Sequence, residues 1–300
     1  VSIILLIPYY RYPSLITTPD YKQILDDDDI DGVVIATQAQ DHYEMVMEAL
    51  SRGKNVFVEK PMVTTLKQAE SMVELSEKKP SQVVMVGHLM LYHTVINYMD
   101  NMIKEGKLGD IYYLYSTRVN LGKIRNVENA VWSLAVHDIY VFMHLMKSRI
   151  KSVECQGGIF LQKNIEDVAF ITLNFANGAM GHIHVGWLDP LLIRRITVVG
   201  DKQMIVFDDV SSSENLKIFN KGVTKEGWES GYTLDFQVRD GEINSPYIKK
   251  KEPLRIECEH FIECIEHGKN PVSDVRQGFE VVRVLSACDR ALEQSKRIEI

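Results

Sequence analysis

The stretch VFVEKPM, residues 56–62, ends an apolar run with two charged side chains, Glu59 and Lys60, followed at once by Pro61. The apolar residues predict a short buried strand, and strands of open α/β sheets place their functional residues at the carboxyl end. A lysine at that point would lie at the rim of a crevice. The alternative is a strand that simply emerges into solvent, where a lysine is ordinary, and the stretch by itself favours this interpretation.

His137, in the segment WSLAVHDIY (132–140), is the second residue that could do chemistry. Histidine is the side chain whose unperturbed pKa lies close to neutral pH, which suits it to exchange a proton. The alternative is structural, because residues 132–146 predict an amphipathic helix and a single histidine on a helix is usually part of the fold. Asp138 is expected to face another direction, since adjacent helical residues do not share a face.

The elements that would position this lysine alternate regularly between residues 21 and 62. A helical stretch around YKQILDD leads to the apolar strand GVVIAT, a helix follows over 42–52, and then comes VFVE. A further helix over 66–79 leads to a strand over 82–86, which stops at a Gly-His pair. This alternation is typical of βαβ units and predicts a parallel sheet, half of a doubly wound domain.

After this first half, the pattern changes to strands separated by hairpin signals. Helical periodicity over 92–105 is followed by apolar stretches of strand type, and turn residues such as Asn177-Gly178 separate several of them. Such turns favour a largely antiparallel sheet, which predicts a second, α+β domain. The charged residues 208–252 predict an irregular excursion, and the tail from Leu254 returns to helical spacing. The strand candidates are IYYLYSTRV, VECQGGIF, DVAFITLNF, AMGHIHVGW, RRITVVG and QMIVF.

The composition and net charge of the sequence limit the partners that this chain could have. Its 300 residues are 45% hydrophobic, and a net charge of −7 with a pI near 5.8 argues against nucleic acid and anionic membranes, which demand a basic surface. Four unevenly placed cysteines do not suggest a disulfide framework, so we expect a reducing, cytoplasmic location. The apolar opening Val1–Ile7 lacks a basic leader and predicts a strand, and no segment is long enough to cross a bilayer, so we expect a soluble protein.

One cluster of metal-capable side chains lies near the end of the sequence, at Cys258, His260, Cys264 and His267. Its spacing matches no standard zinc pattern, and Cys264 lies among apolar helix positions suited to packing. We therefore expect no metal.

The combination of DGVVIAT, GKNVFVEKPM, VGH and WSLAVHDIY resembles the Gfo/Idh/MocA oxidoreductases, in order and spacing, over residues 18–300. The EKP element after a strand is the most specific of these marks. The family pairs a nicotinamide-binding Rossmann domain with a C-terminal sheet domain. The resemblance therefore implies an α/β protein: a Rossmann-like parallel-sheet domain at 1–88, then at 89–300 an α+β domain with a large, mainly antiparallel open sheet for substrate binding and oligomerisation.

Two longer stretches, LGKIRNVENAVWSLAVHD and GWLDPLLIRRITVVGDKQMIVFDD, are most similar to the dehydrogenases that oxidise carbon 3 of UDP-N-acetyl-hexosamines or their uronic acids. The resemblance implies NAD as the cofactor, with NADP left open, and a sugar or nucleotide sugar as the substrate. It also implies a homo-oligomer, a dimer or a tetramer, that forms through the C-terminal sheet.

What the resemblance implies for Lys60 and His137 agrees with the chemistry of a dehydrogenase. Such an enzyme takes a proton from a hydroxyl while a hydride leaves the same carbon, so it needs a base near that oxygen and a cation for the developing alkoxide. In the family this lysine lies between the nicotinamide and the substrate, so Lys60 is the expected cation and His137 the expected base. Pro61 would fix the turn that aims Lys60 into the cleft, and Glu59 would orient or neutralise its surroundings.

The resemblance implies further cofactor contacts at the ends of the predicted elements. Thr37, Gln38 and His42 would contact the cofactor together with Glu59 and Lys60, because strand ends and helix amino termini suit that work. Taken alone, the residues favour a simpler interpretation, in which Thr37 caps a turn and His42 is a solvated residue of the first helical turn.

Arg118, Asn120 and Arg125 would meet the substrate, the arginines through charge-assisted contacts to a sugar diphosphate. Exposed arginines on a sheet face are also common without a ligand. Ser133 would contact the sugar as well, but it stands where the family commonly has an aspartate. A serine supplies no negative charge one helical turn before His137, so the base would be weaker or would be oriented by another group.

The first thirty residues depart furthest from the family pattern. A dinucleotide fold begins with a strand and a glycine-rich turn against the pyrophosphate, yet this sequence has no glycine before Gly32. We therefore expect a domain that is shortened at its N-terminus: either a segment of the complete protein is missing from this sequence, or the pyrophosphate cradle has been lost.

Two functions from different classes follow from these observations. The first is an NAD(H)-dependent oxidoreductase that acts on a sugar hydroxyl, at carbon 3 of a UDP-linked N-acetylated sugar or, with the same core chemistry, on a cyclitol or free sugar. The second is a sugar- or nucleotide-binding scaffold that has kept the fold without hydride transfer.

Overall fold

The computed structural model describes residues 16–226 and 235–300, and its first layer is a parallel sheet. The strands of this sheet are β1 Gly32–Ile35, β2 Asn55–Glu59 and β3 Val84–Gly87. The helices around them are α1 Tyr21–Leu25, α2 Ala39–Ser51 and α3 Leu66–Lys78. Within the described residues the strand order is β1-β2-β3, with Val34 opposite Phe57 and Phe57 opposite Met85. The predicted parallel sheet is confirmed, whereas the strand predicted over Val1–Ile7 lies outside the described residues.

Local sequence explains where these helices begin and which faces they bury. Thr65 caps α3, because its side chain accepts a hydrogen bond from the amide of Gln68. Val46 and Leu50 of α2 are fully buried, since residues four apart share one helix face. The central residues of β2 are buried on both faces of the sheet, as expected for a parallel strand covered by helices.

The second layer is a large mixed sheet. Its strands are β4 Ile111–Val119, β5 Ile150–Gly158, β6 Val168–Phe175, β7 Met180–Gly186, β8 Ile193–Gly200, β9 Met204–Asp208, β10 Leu216–Phe219, β13 Ile243–Asn244 and β14 Ile298–Glu299. Two further strands, β11 Gly222–Glu226 and β12 Asp235–Arg239, form a separate antiparallel pair. Among the described residues the nine strands of the large sheet are arranged in the order β13-β10-β9-β8-β4-β7-β6-β5-β14. The pair β4–β7 is parallel and the other neighbouring pairs of this sheet are antiparallel. The predicted open, mainly antiparallel sheet is confirmed.

The prediction of an irregular excursion over residues 208–252 was wrong. The described part of this range contains β10 to β13, and β10 extends the large sheet by pairing with β9. Leu216 and Ile218 are buried, with Lys217 partly exposed between them. This alternation lasts only four residues, so the surrounding charged side chains hide it from a pattern search.

The helices of the second half cover one face of the large sheet and return to the first sheet. They are a 3₁₀ turn Leu89–Tyr92, α4 Thr94–Lys104, a π-helical turn Val131–Ala135 that continues into α5 Val136–Met146, α6 Pro253–His267 and α7 Val275–Gln294. Phe261 of α6 packs on Phe57 of β2, with ring centroids 5.7 Å apart. α7 packs against β5 of the large sheet and also against α3 and β3. The division into domains at 1–88 and 89–300 stays a prediction.

No described residue covers the face of the large sheet opposite α5, and we call it the open face. Tyr113 and Tyr115 of β4, Phe170 of β6 and Met180 of β7 are exposed on it. His184 stacks on Phe170, with centroids 4.4 Å apart and the planes at 15°. A contiguous exposed apolar patch of this kind marks an interaction surface more often than a solvated one.

The helices in the described part of the chain include none that combines the length and apolar character needed to span a bilayer.

Candidate active site

The carboxyl ends of the three parallel strands meet at one edge of the first sheet. Thr37 follows β1, Glu59 and Lys60 stand at the end of β2, and His88 follows β3. The crevice outside the carboxyl ends of such strands is the usual ligand site of open α/β sheets. The side chains that the sequence offers for chemistry are therefore collected where this fold binds ligands.

A cleft of about 1160 Å³ opens at this edge, between the two sheets. One wall consists of the chain segments that follow β1 and β2. The opposite wall carries Arg125 and Trp132, from the segment that leads into α5, and Asp289 from α7. Elements more than two hundred residues apart thus enclose one space, large enough for a sugar together with part of a dinucleotide.

Lys60 reaches across this cleft. Its ammonium donates a hydrogen bond to the main-chain oxygen of Ser133, with Nζ and O 3.2 Å apart. Burial lowers the pKa of Lys60, and the charges of Glu128 and Glu59 oppose that shift. Lys60 is therefore a partly desolvated cation that gives up its proton more readily than an exposed lysine.

His42 fixes the turn that carries this lysine, instead of lining the cleft. The imidazole is buried, with Nδ1 3.0 Å from the carbonyl oxygen of Pro61 and Nε2 3.3 Å from that of Thr37. The peptide bond between Lys60 and Pro61 is cis. Because both ring nitrogens of His42 face main-chain oxygens, the geometry contradicts a direct cofactor contact, and the residue instead ties the ends of β1 and β2 together.

His137 lies one helical turn after Ser133, the residue that receives the Lys60 hydrogen bond. Its Nδ1 is 2.9 Å from the hydroxyl oxygen of Tyr140. Burial lowers the pKa of His137 well below its usual value, and the positive charges of Lys60 and Arg118 lower it further. This influence of Lys60 agrees with the hydrogen bond between Lys60 and Ser133, one helical turn before the imidazole.

Arg118, predicted to bind a substrate anion, is buried under α5. Its guanidinium donates two hydrogen bonds to the carboxylate of Asp138, at 2.8 and 3.2 Å. The Nε and Nη2 groups of Arg118 are thus hydrogen-bonded to Asp138 within the chain. Asp138 turns away from His137 to reach this partner, as its adjacent helical position requires. The geometry gives Arg118 a structural role, and this corrects the expectation of an exposed sheet arginine.

The other predicted binding residues divide between cleft and core. Thr37, Gln38 and Arg125 are exposed in the cleft, and Arg125 is only loosely paired with Glu128. Ser133 is buried and takes part through its main-chain oxygen. Asn120 follows β4 and is not among the residues that line the cleft; its amide donates to the Gly186 oxygen. Roles for these residues in binding stay predictions.

His88 is a candidate that the sequence search for site residues missed. Its ring stacks on Tyr140, with centroids 4.3 Å apart and the planes at 17°, and its Nδ1 lies 2.5 Å from Oε1 of Gln277 on α7. Burial lowers the pKa of His88 to about 4, so the imidazole is neutral at pH 7. The signal that could have found it is its place at the end of β3, the same strand-end position that singled out Lys60.

Asp289 is a second missed residue. Its Oδ2 accepts a hydrogen bond of 2.7 Å from the indole Nε1 of Trp132, and Asn129 donates to Glu166 beside it. Burial raises the pKa of Asp289. The residue lies in the middle of a long amphipathic helix and 157 positions after Trp132, so no local pattern pointed to it.

The predicted absence of a metal concerns the side chains around α6. Within residues 16–226 and 235–300, no group of three or more His, Cys, Asp or Glu side chains is arranged to hold a metal ion. His260 instead accepts a hydrogen bond of 3.1 Å from the Val272 amide, and its Nε2 lies 3.4 Å from Sγ of Cys264.

Comparison with protein families gives two matches. A model described as an oxidoreductase family with an NAD-binding Rossmann fold matches residues 10–88. The model of the GFO/IDH/MocA C-terminal domain matches residues 96–206. Together the two models cover well over half of the chain.

Similar proteins include dehydrogenases of cyclitols and sugars. The scyllo-inositol 2-dehydrogenase (NAD(+)) of Bacillus subtilis is 26% identical over 266 residues, which cover 84% of this chain and 72% of that protein. The structure of a UDP-N-acetylglucosamine 3-dehydrogenase from Acidithiobacillus ferrooxidans has a TM-score of 0.77 at 20% identity, covering 92% of this chain and 82% of the other. A levoglucosan dehydrogenase in complex with NADH and levoglucosan has a TM-score of 0.83 at 18% identity, covering 99% and 87%. At 18 to 20% sequence identity, the likeness to these two structures shows a shared fold alone.

The donor set at the strand ends fits the nicotinamide and ribose end of NAD. Thr37 and Gln38 expose a hydroxyl and an amide at the end of β1, and Lys60 supplies a cation beside them. Hydroxyl, amide and ammonium groups are the partners that ribose hydroxyls and a carboxamide require. Residues 1–15 lie outside the described part of the chain.

Proposed function

Because the chain belongs to the Gfo/Idh/MocA family of oxidoreductases, whose first domain is an NAD-binding Rossmann fold, we propose that it transfers a hydride between NAD and a ring carbon that bears a hydroxyl group. The observation that carries this proposal is the hydrogen bond from the Lys60 ammonium to the Ser133 oxygen. This bond joins the strand-end lysine to Ser133, which lies one helical turn before His137. We infer from it that the cation and the imidazole act together beside the expected nicotinamide position, as hydroxyl oxidation requires.

The residues would divide the work according to their chemistry. NAD, when bound, accepts or returns the hydride. Lys60 would exchange its hydrogen bond with the Ser133 oxygen for one with the reacting oxygen and stabilise the negative charge that develops there. His137 would bind the same oxygen through Nε2, which has no hydrogen-bond partner in the described part of the chain. His42 would keep Lys60 in place by holding the turn at Pro61.

For the substrate we propose carbon 3 of a UDP-linked N-acetylated sugar. This is supported by the two sequence stretches that resemble such dehydrogenases and by the fold shared with a UDP-N-acetylglucosamine 3-dehydrogenase. Lys123 and Arg125, both exposed in the cleft, are the cations that would meet the diphosphate.

A cyclitol is the second candidate substrate. The relative from B. subtilis is named for scyllo-inositol, and the cleft also contains the carboxylates of Glu166 and Asp289. Carboxylates accept hydrogen bonds from ring hydroxyls and repel a diphosphate, so this end of the cleft suits a neutral polyol.

Turnover separates the two candidates. The purified protein is incubated with NAD and either UDP-N-acetylglucosamine or scyllo-inositol, and NADH formation is followed by absorbance. If the nucleotide sugar is the substrate, Arg125→Gln should raise its KM several-fold, since one charge-assisted contact is lost. Conversion of scyllo-inositol alone, with no effect of Arg125→Gln, would replace the first substrate by the second.

The catalytic roles are tested with Lys60→Met and His137→Asn. Each should lower kcat by roughly 100-fold or more while leaving NADH binding within a few-fold, because each removes a group that acts on the reacting oxygen. His267→Asn, an exposed histidine at the end of α6, is the matched control and should keep full activity. Unchanged turnover in both active-site variants would refute the proposed roles.

The rival function, a binding scaffold without hydride transfer, is tested by titrating the protein with NADH and following nicotinamide fluorescence. Saturable binding supports the oxidoreductase. Absence of binding at millimolar NADH favours the scaffold.

We also propose that two copies associate through the open face. Its exposed aromatic residues and the stacked pair of Phe170 and His184 would become buried, which removes a contiguous apolar patch from water. A further layer stacked on the first copy would complete a sandwich of two sheets, the usual way in which an uncovered antiparallel face is protected.

A further inference from the structure

We propose that Tyr140 is a positioning residue, which holds His137 in the tautomer that carries its proton on Nε2, so that the imidazole donates a hydrogen bond to the reacting oxygen. The reacting oxygen belongs to the proposed oxidoreductase function, on which this last clause rests. The tautomer itself is a property of the protein without substrate or cofactor.

The hydrogen-bond count at the Tyr140 hydroxyl carries the argument. The side chain is fully buried, and its oxygen accepts a hydrogen bond from the amide of Met90 at 3.1 Å. A phenol has a single hydrogen to donate, and the acceptor for it within the described residues is Nδ1 of His137, at 2.9 Å. Nδ1 then accepts, so the proton of a neutral imidazole must lie on Nε2.

The opposite tautomer leaves a donor without a partner. If Nδ1 carried the proton, it would donate to the Tyr140 oxygen, and the phenolic hydrogen would be buried with no acceptor among the described groups. Burying an unsatisfied donor is disfavoured enough to shift a two-state equilibrium by roughly 5- to 150-fold. The Nε2–H form should therefore predominate at equilibrium.

The hydroxyl and the ring of Tyr140 are both fixed by neighbouring residues. Met90 belongs to the 3₁₀ turn after β3, and the ring of His88 lies flat against the tyrosine ring. His88 is in turn bound to Gln277 on α7. Tyr140 lies one helical turn after His137 on α5, so the phenol and the imidazole share one face of the helix.

The imidazole stays neutral because it is buried and because cations act on it. Lys60 stands after β2, Arg118 on β4 and Arg194 on β8, and each disfavours a positive charge on His137, whereas His88 after β3 is itself neutral at pH 7. Asp138, the adjacent carboxylate, is bound to Arg118. The choice between the two neutral tautomers therefore decides whether Nε2 donates or accepts a hydrogen bond.

The consequence concerns the division of labour at the site. An Nε2–H donor stabilises negative charge on the substrate oxygen, which is the role of an oxyanion-hole group. To accept the hydroxyl proton instead, His137 would first have to adopt the disfavoured tautomer. Tyr140 thus sets His137 to hold the oxygen, and the hydroxyl proton would pass to the amine form of Lys60, which burial favours by lowering the lysine pKa, while the hydride passes to NAD.

The proposal is tested by determining the tautomer of His137 by NMR in the full chain without cofactor. The protein is labelled with ¹⁵N in its histidine rings, and long-range ¹H–¹⁵N correlation spectra at pH 7.5 distinguish a protonated from an unprotonated ring nitrogen. The signals of His137 are those missing from the spectrum of His137→Asn. We expect a protonated Nε2 and an unprotonated Nδ1; a protonated Nδ1 would overturn the proposal, whether or not the protein proves to be a dehydrogenase.

Tyr140→Phe tests the cause. Without the hydroxyl, the ratio of the Nε2–H tautomer to the Nδ1–H tautomer should fall by roughly 5-fold or more, so that both tautomers contribute to the His137 signals. Tyr92→Phe is the matched control, because its buried hydroxyl meets Ser273 instead, at 2.9 Å, and the His137 signals should not change. An unchanged tautomer in Tyr140→Phe would refute the role of the phenol. If that variant does not fold, the spectrum of the natural sequence still decides the tautomer.

Discussion

Replacing the buried Glu257 by glutamine should stabilise the protein at pH 8 and much less at pH 5. Glu257 lies on α6 with 1% of its surface exposed, and its Oε1 has no hydrogen-bond partner in the described part of the chain. Burial, and then the charge of Glu59 at the end of β2, raise the pKa of Glu257 from 4.5 to about 8. The folded protein therefore keeps this carboxyl protonated at pH values where the unfolded chain has released the proton.

The size of the effect follows from the two pKa values. Between pH 4.5 and 8 the folded state binds one more proton than the unfolded state, so the free energy of unfolding falls as pH rises. The slope is about 1.36 kcal/mol for each pH unit. Between pH 5 and pH 8 the natural protein should therefore lose about 3 to 4 kcal/mol through this group alone. Glutamine resembles the protonated carboxyl in shape and does not titrate, so Glu257→Gln removes the loss.

The assay is urea unfolding of both proteins at pH 5, 6.5 and 8, followed by tryptophan fluorescence. The difference in unfolding free energy between variant and natural protein should be about 1 kcal/mol at pH 5 and reach about 4 kcal/mol in favour of the variant at pH 8. Glu259→Gln, an exposed carboxylate on the same helix, should show no such trend. A difference that stays constant across the three pH values would refute the raised pKa and the desolvation argument behind it.

Three further perturbations probe the fold. Asp138→Asn should destabilise the protein by about 3 to 5 kcal/mol in urea unfolding, because it leaves the buried guanidinium of Arg118 without its counter-charge; a loss below 1 kcal/mol would show that the pair is dispensable. Gly109→Ala should lower the melting temperature more than Gly106→Ala does: both have positive φ, +71° and +68°, but only at Gly109 would the new methyl group collide with an aspartate side chain. Phe170→Glu should convert the proposed dimer into a monomer in light scattering, since it places a charge among the exposed apolar residues of the open face; an unchanged mass would reject that surface.

The sequence predicted the elements well where apolar periodicity was long. The predicted strand IYYLYSTRV coincides with β4, residues 111–119, and the predicted helix over 66–79 corresponds to α3. The search failed over residues 208–252, where the strands are two to five residues long and charged side chains separate them. A period of two cannot be recognised over so few positions.

The site was predicted in part, for reasons that differ from residue to residue. Lys60 stood out because a strand end followed by proline is a local signal. His42 and Arg118 were assigned to ligands, yet their polar atoms meet groups inside the chain, and such partners become visible only in three dimensions. Asp289 was missed because its partner, Trp132, is far away in sequence and Asp289 itself belongs to no motif.

Helix α7 has a mechanical consequence for the protein. Near its start, Gln277 binds His88 and Gly278 packs against Met62, so this end is joined to the turn that follows the lysine. Twelve positions after Gln277, Asp289 forms part of the opposite wall of the cleft. Helix α7 thus connects the two walls of the cleft. A small tilt of this helix would change both the width of the cleft and the position of the His88 ring.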